Sequence, residues 1–220
     1  MRTAAEEIGQ VAQYWNDAAE KFDSIYTGDK APWARALDRW LRRDMYQRFD
    51  WVMKQAGDVR GQTVGDLGCG SGRFVAELAA RGAAHVTGID IAPEMLRLAR
   101  EVVEKKGVAR KCTFELSDVN DWTGTDTYDL TIAIGFWDYI RDPASRLAVI
   151  RRLTDGRFLS AWPRANTARA AIRTMRLGAL GCPVYFYSRD DVYRHLEQAG
   201  FRVDSCEVLG QLHCATATAV

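Results

Sequence analysis

The pattern of hydrophobic and polar positions divides the chain into a helical N-terminal part and a longer part in which strands and helices alternate. Over residues 4–22 and 33–55, apolar side chains recur every three to four positions, which predicts two amphipathic helices. From residue 62 onward, short apolar runs alternate with helical patterns. This alternation predicts an α/β protein with a mostly parallel sheet and with helices on both faces.

The predicted strands are short apolar runs bounded by turn residues, at residues 62–67, 84–90, 111–116, 128–134, 156–161, 201–208 and 211–218. The predicted helices between them lie near residues 72–81, 93–106, 141–153, 165–178 and 189–199. The segment "YDLTIAIG" is almost wholly apolar after Asp129, as expected for a central strand covered on both faces. Little more than Gly210 separates the last two runs, which favours a final antiparallel hairpin.

Composition and charge make several classes of protein improbable. The chain has 220 residues, with 30 basic against 29 acidic side chains and a formal net charge of +1, so its composition does not favour a nucleic-acid partner. The chain has five cysteines and no CxxC pair, which favours reduced thiols over disulfides or a zinc site. The three histidines are dispersed, so we predict no metal site. Without a signal-peptide pattern or an apolar run of membrane-spanning length, we expect a cytoplasmic protein with no stable membrane insertion.

The segment "TVGDLGCGSGRF" follows the first predicted strand and carries glycines at positions 68, 70 and 72. A dinucleotide-binding loop has the pattern G-x-G-x-x-G, but Arg73 stands where its last glycine belongs. Asp66 precedes the first glycine, and its carboxylate would repel a pyrophosphate on the next helix N-terminus. S-adenosylmethionine (SAM) carries an ammonium and a sulfonium group and no phosphate. The loop therefore favours SAM, whose methionyl part glycines allow to approach the backbone closely.

Two more carboxylates follow the next two predicted strands. Asp90 ends the second strand in "VTGIDIAPEML", where an acid can accept both ribose hydroxyls; the same feature suits NAD, and capping of a helix is an alternative role. Asp118 in "FELSDVNDW" follows the third strand, where it can accept the exocyclic amine of adenine or serve only as a turn residue. Three acids after three successive strands lie at the sheet edge where ligands bind in this architecture.

Together, "DLGCGSG", the acid of "GIDI" and "SDV" resemble the motifs of class I SAM-dependent methyltransferases, from about residue 62 to the end of the chain. The segments "YW…FDSIYTGD", "DYIRDP" and "GCPVYFYSRDDV" resemble the branch of bacterial small-molecule enzymes that contains the magnesium-protoporphyrin IX methyltransferases. The resemblance implies a Rossmann-like seven-stranded sheet in the order 3-2-1-4-5-7-6 with the last strand antiparallel. It also implies a helical lid over residues 1–60 and a SAM-binding core over residues 61–220.

The resemblance further implies which residues bind SAM and its product, S-adenosylhomocysteine. Asp66 and the glycines would hold the methionyl end, Asp90 the ribose, and Asp118 with Val119 the adenine. The complete predicted set is Asp66, Gly68, Cys69, Gly70, Gly72, Asp90, Ile91, Met95, Asp118, Val119 and Gly135. Packing in the core is the alternative role for the cysteine and, in part, for the methionine of this set.

The loop after the fourth strand, "GFWDYIRDP", is expected to face the methyl acceptor. Tyr139 is the leading catalytic candidate, for orienting substrate or cofactor, and Asp138 is a candidate base. Tyr26 matches an N-terminal tyrosine of the branch and is a third candidate, with core packing as an equal alternative. The predicted substrate-binding residues are Trp137, Tyr185, Tyr187 and Arg173; core packing is the alternative role for the tryptophan.

Arg169, Arg173 and Arg176 share one predicted helix face. They would attract a carboxylate-bearing substrate or make peripheral contact with an anionic membrane, or else form a solvated face. Porphyrin enzymes of the branch are expected to carry a histidine near Tyr139, and this chain has none there, which argues against a porphyrin acceptor.

We therefore predict a methyltransferase that acts on an oxygen, or less readily a nitrogen, of a small metabolite that is carboxylate-bearing or hydrophobic. Two alternatives come from other classes of protein. One is a SAM-binding regulatory protein without catalysis. The other is an NAD(P)-dependent oxidoreductase, which Asp66 and Arg73 disfavour.

Overall fold

The computed structural model describes residues 4–27, 43–179 and 182–220. The strands are β1 (Thr63–Leu67), β2 (His85–Asp90), β3 (Cys112–Leu116), β4 (Tyr128–Ile134), β5 (Thr154–Pro163), β6 (Phe201–Leu209) and β7 (Leu212–Ala219). The α-helices are α1 (Ala4–Thr27), α2 (Arg43–Ala56), α3 (Arg73–Ala80), α4 (Pro93–Lys105), α5 (Pro143–Leu153), α6 (Ala168–Ala179) and α7 (Arg189–Gln198). Each predicted strand and helix has its counterpart within a few residues, although residues 33–42 of the predicted second helix lie outside the described part.

The strands form one sheet in the order β3-β2-β1-β4-β5-β7-β6. Strands β1 to β5 run parallel to one another, and β7 is antiparallel to both of its neighbours. The predicted fold class is thereby confirmed. Strand β1 pairs with β2 on one side and with β4 on the other. The loops that follow these strands therefore diverge, and a crevice opens between them at the carboxyl edge of the sheet.

Strand β5 begins earlier than the sequence pattern predicts, at Thr154 rather than at residue 156. Helix α5 passes into it without an intervening turn, because the Thr154 hydroxyl donates to the carbonyl of Ile150 at 2.7 Å and caps the helix. Apolar periodicity does not reveal such a boundary, since the capping residue is itself buried and polar.

Two hydrophobic clusters cover the two faces of the sheet. Helices α2, α3 and α4 bury side chains such as Val52, Leu78 and Leu96 against one face. Helices α5 and α7 bury side chains such as Ile150 and Leu196 against the other. Packing on both faces holds the carboxyl ends of β1 to β4 in fixed register, and this positions the loops that follow these strands.

Helix α1 lies over the carboxyl edge of the sheet. Its Ala19 packs with Met95 of α4, and its Val11 packs with Leu177 of α6. Helix α2, by contrast, belongs to the core, where Val52 is fully buried. Of the region assigned to the lid, α1 therefore covers the crevice, whereas α2 packs on the sheet and also lines the crevice with Arg48 and Phe49. The division of the chain at residue 60 stays a prediction. Within the described ranges, none of the helices combines the length and the apolar character that crossing a membrane requires.

Candidate active site

A cavity of about 780 Å³ lies at the carboxyl edge of the sheet, between the loops after β1 to β5 and helices α1, α2 and α6. Nine of the eleven predicted cofactor-binding residues line it: Gly68, Cys69, Gly70, Asp90, Ile91, Met95, Asp118, Val119 and Gly135. The other two, Asp66 and Gly72, are not among the residues that line the cavity. The sheet edge thus brings together residues that are distant in the chain.

The glycine loop is held against β2 by backbone hydrogen bonds, since the amides of Gly68 and Cys69 donate to the carbonyl of Ile89 at 2.8 and 3.1 Å. Gly70 has a φ of +53°, and a Cβ added there would meet no protein atom within 4 Å. That open direction belongs to the cavity, so the bare backbone is available to a ligand.

Gly72 has a packing role that the sequence did not predict. A Cβ on this residue would lie 2.8 Å from the Cβ of Ala99 on α4. Its φ is +71°, in the left-handed region that favours glycine, and it precedes the first residue of α3. Gly72 therefore permits close packing of α3 on α4 and does not touch the cavity.

Asp90 links the loops that follow β1 and β2. One of its carboxylate oxygens accepts from the Gly70 amide at 2.8 Å, and the other accepts from the Ala92 amide at 2.9 Å, at the start of α4. Burial raises the pKa of this carboxyl, and hydrogen bonds from the backbone of Ala92, Gly70 and Ile91 oppose that rise. Asp90 thus fixes the turn before α4 and also lines the cavity, whereas the N-cap residue of the helix is Ala92 and not Asp90.

Asp66 is 1% exposed, at the carboxyl end of β1, and its Oδ2 has no hydrogen-bond partner among the described residues. Burial, and next the nearby charge of Asp90, raise the pKa of Asp66 to about 8. An ionised carboxylate in this position is costly unless a cation approaches it. A cation that reached Asp66 would therefore favour the ionised form of this carboxyl.

Asp118 is partly engaged by the protein itself. Its Oδ1 accepts from the Asn120 amide at 2.7 Å, and its Oδ2 accepts from Arg146 at 3.2 Å. The Arg146 side chain is 10% exposed, and its Nε is buried without a partner in the described structure. The carboxylate lines the cavity, but its negative charge is already balanced.

The loop after β4 brings Asp138 and Tyr139 to the cavity, as predicted for the candidate catalytic residues. Asp138 is paired with Arg173 of α6, and its side chain is 5% exposed. The ion pair occupies this carboxylate, so the base role considered for Asp138 would require it to leave Arg173 first. Burial and then the Asp138 charge raise the pKa of Tyr139 strongly, so its phenol stays protonated and can orient a ligand as a hydrogen-bond donor.

Three predicted substrate-binding aromatic residues lie away from the cavity wall. Trp137 is fully buried and stacks on Trp162, with ring centroids 3.9 Å apart. The Tyr187 hydroxyl donates to the Ile140 carbonyl, and that of Tyr185 receives a hydrogen bond from Arg141 Nε at 3.1 Å. These side chains stabilise the loops and helix α1, because Tyr185 also donates to Glu7 of α1 at 3.2 Å.

Phe186, between the two tyrosines, lines the cavity instead. Successive side chains of an extended segment point in opposite directions, so either the tyrosines or the phenylalanine could face inward, and the alternation alone cannot say which. Of the other candidates, Arg173 lines the cavity. The side chains of Tyr26, Arg169 and Arg176 lie outside the described part of the structure.

Arginines dominate the charged lining, and sequence reasoning missed most of them. Five arginines line the cavity against three acids; they are Arg48, Arg73, Arg146, Arg164 and Arg173. The most informative is Arg48 of α2, whose Nε is buried and has no partner in the described structure. Its Nη1 would lie 3.0 Å from a Cβ added at Gly135, so its guanidinium lies beside the loop after β4.

A helical arginine ahead of the first strand carries no local signal that it reaches the carboxyl edge.

In the described ranges, no set of three or more histidine, cysteine or acidic side chains is arranged to hold a metal ion.

Comparison with known proteins supports these observations. Residues 58–200 match the family described as "Methyltransferase domain". The chain is 34% identical over 106 residues to the ubiquinone biosynthesis O-methyltransferase of Aeromonas salmonicida (strain A449), covering 48% of this chain and 44% of that protein. It is 30% identical over 138 residues to the enzyme of the same name from Neisseria meningitidis serogroup C (strain 053442), covering 58% and 57%. The chain thus spans about half the length of these curated relatives.

Two solved structures resemble the whole fold. One is magnesium protoporphyrin IX methyltransferase from Synechocystis PCC 6803 with bound SAH, at 20% identity and a TM-score of 0.80, covering 97% of this chain and 100% of that chain. The other is geranyl diphosphate C-methyltransferase from Streptomyces coelicolor A3(2), at 13% identity and a TM-score of 0.77, with full coverage of both chains. At these identities the likeness establishes the architecture.

Proposed function

The chain belongs to the methyltransferase-domain family of class I SAM-dependent enzymes, and from this premise we propose that it methylates an oxygen atom of a small molecule. Its methyl donor is SAM, and its product is S-adenosylhomocysteine. Bound SAM supplies an electrophilic methyl group on a sulfonium centre. The protein has to hold both reactants in line and to exclude water.

The observation that supports the proposal is two buried polar atoms without a partner in the described structure, the carboxyl Oδ2 of Asp66 beside the glycine loop and the guanidinium Nε of Arg48 in the cavity wall. The methionyl end of SAM has an ammonium and a carboxylate group, so one ligand satisfies both. The open space over Gly70 allows this end to reach the loop backbone. Of the predicted residues that remain, Asp90 would bind the ribose, and Asp118 with Val119 would surround the adenine.

The proposed acceptor atom is an oxygen that needs no strong base. Among the described residues of the cavity wall, Asp138 is ion-paired, and Tyr139 stays protonated. A carboxylate oxygen or an acidic hydroxyl can attack the methyl group without a strong base, whereas an ammonium nitrogen would first have to lose a proton. The aliphatic and aromatic lining also suits an acceptor with an apolar body.

Calorimetry and turnover test the proposal together. We expect the purified protein to bind SAM and S-adenosylhomocysteine but not NADH, and to transfer label from SAM to members of a panel of small phenols and carboxylic acids. Uptake of NADH without SAM would support the oxidoreductase alternative and refute the proposal. Tight SAM binding without transfer to any of the panel would favour the regulatory alternative.

Arg48→Gln is expected to weaken SAM binding by about 10- to 100-fold, the usual loss when a charge-assisted hydrogen bond is removed. Binding of 5′-methylthioadenosine should be unchanged, because this ligand lacks the carboxylate. The matched control is Arg152→Gln, since Arg152 is a surface arginine whose guanidinium donates to the Trp122 carbonyl at 3.3 Å. Equal SAM affinity in the two variants, measured by calorimetry, would rule out this role of Arg48.

A further inference from the structure

Arg164 and Gln211 lie together in the cavity wall, where the end of β5 lies beside the start of β7. In the sheet, β4 separates β5 from β1, which places this part of the wall about 10 Å from the first strand at the usual spacing between strands. None of the cofactor-binding residues predicted from the sequence belongs to it. It is therefore available to the methyl acceptor.

Arg164 is anchored by the turn that joins β6 and β7. Its amide donates to the Gln211 carbonyl at 2.9 Å, and its Nη1 donates to the Gly210 carbonyl at 2.9 Å. These bonds fix the guanidinium while leaving further N–H donors, of which an arginine has five. Among the described residues, no carboxylate forms an ion pair with Arg164.

Gln211 is the second polar residue in this part of the cavity wall. Its Oε1 is buried and has no hydrogen-bond partner within the described structure. A buried carbonyl oxygen destabilises the protein unless a donor reaches it, and a ligand hydroxyl can supply that donor. The same part of the cavity wall also has apolar side chains, those of Pro163, Leu212 and Phe186.

We propose that Arg164 and Gln211 bind the methyl acceptor, and that the acceptor is a small acid with an anionic group, a hydrogen-bond donor and an apolar body. Arg164 binds the carboxylate or phosphate group, and Gln211 accepts from a hydroxyl. Arg173, one of the three arginines first considered for this purpose, is neutralised by Asp138. The inference rests on the proposed function, because it takes the remaining space of the cavity as the acceptor site.

Calorimetry in the presence of saturating S-adenosylhomocysteine tests the inference with three probes of similar size. Two are anionic, 3,4-dihydroxybenzoate and phenyl phosphate, and one is neutral, 4-methylcatechol. We expect the wild-type protein to bind at least one anionic probe about tenfold or more tightly than the neutral one. The tighter of the two anions then identifies the charged group as a carboxylate or a phosphate.

Arg164→Gln should abolish this preference and leave binding of 4-methylcatechol and S-adenosylhomocysteine unchanged. Arg164→Lys should restore part of the preference for an anionic probe. Gln211→Leu should weaken the binding of both catechol probes, 3,4-dihydroxybenzoate and 4-methylcatechol. Arg152→Gln again serves as the surface control. Because S-adenosylhomocysteine is titrated separately with every variant, a misfolded protein is recognised at once.

Either of two results overturns the inference. One is a wild-type protein that binds S-adenosylhomocysteine but neither anionic probe, or shows no preference for an anion. The other is an Arg164→Gln variant that keeps the preference. In both cases the proposed methyltransferase function still stands, whereas failure to bind S-adenosylhomocysteine would refute that function first.

Discussion

Asp66→Asn is expected to weaken SAM binding by a factor on the order of 100, since it removes a charged partner of the ligand's ammonium group inside the protein. The carboxylate is 1% exposed, and its Oδ2 has no other partner in the described structure, so water does not replace the lost interaction. Binding of 5′-methylthioadenosine, which lacks the ammonium, should not change. Titration of both ligands by calorimetry measures the difference.

The same carboxylate predicts how SAM affinity depends on pH. In the ligand-free protein the pKa of Asp66 is about 8, so below that pH the group is mostly protonated. A cation binds the ionised form and releases the proton, so the affinity should rise with pH up to about 8. Calorimetry in buffers of different ionisation enthalpy counts this proton. Asp66→Asn should remove both the rise and the proton release.

Folding stability should change with pH in the opposite sense. Between the ordinary pKa of 3.8 and the raised value of about 8, the folded protein holds a proton on Asp66 that the unfolded chain has lost. The unfolded state then binds fewer protons, so the contribution of this group to the free energy of unfolding falls as pH rises. In the Asn variant this contribution is absent.

Asp129→Asn is the matched control, at the opposite end of the same strands. The Asp129 carboxylate accepts from the amide and the hydroxyl of Thr63 at 2.8 and 2.9 Å. Its loss should lower stability slightly and leave SAM binding intact. If Asp66→Asn bound SAM as tightly as this control, the electrostatic argument for a cationic ligand would fail.

Gly72→Ala is expected to lower the free energy of unfolding by about 2–4 kcal/mol, from the left-handed backbone and from overpacking together. The added Cβ would lie 2.8 Å from the Ala99 Cβ and 3.0 Å from its Cα, and neither atom can turn away as the end of a flexible side chain could. Denaturant unfolding of the ligand-free protein measures the loss.

Gly70→Ala provides the comparison, because its φ of +53° carries backbone strain but its Cβ meets no protein atom within 4 Å. We expect a stability loss of only about 1–2 kcal/mol. The new methyl group would, however, stand in the cavity and exclude SAM. Equal stability losses in the two variants, or normal SAM binding by Gly70→Ala, would contradict the separate roles assigned to these glycines.

Much of the fold could be predicted from the sequence, because local pattern carries that information. Apolar runs of strand length set the strands, and the unbroken run in β4 marked a strand covered on both faces. The short link at Gly210 indicated the antiparallel pair, which β6 and β7 form. The start of β5 was misplaced, because the buried Thr154 both caps α5 and opens the strand.

The candidate site was predictable only where a residue's place in the chain fixes its place in the sheet. Asp90 and Asp118 follow strand ends, so parallel strands bring them to one edge with the glycine loop. Trp137 also follows a strand end, but its large apolar ring stacks on Trp162 in the core. Burial of the ring competes with a role at the site, and the local sequence does not show which prevails.

The sequence by itself determined the sheet, the glycine loop and the place of three acids at the sheet edge, of which Asp66 favours a cationic ligand, since periodicity and order along the chain are sufficient for these. Only the tertiary structure decided the charge inside the cavity. It brought Arg48 and Arg164 to the cavity wall, and it neutralised Asp138 with Arg173. Such contacts join residues far apart in the chain, and they depend on how helices pack on the sheet, which no local pattern encodes.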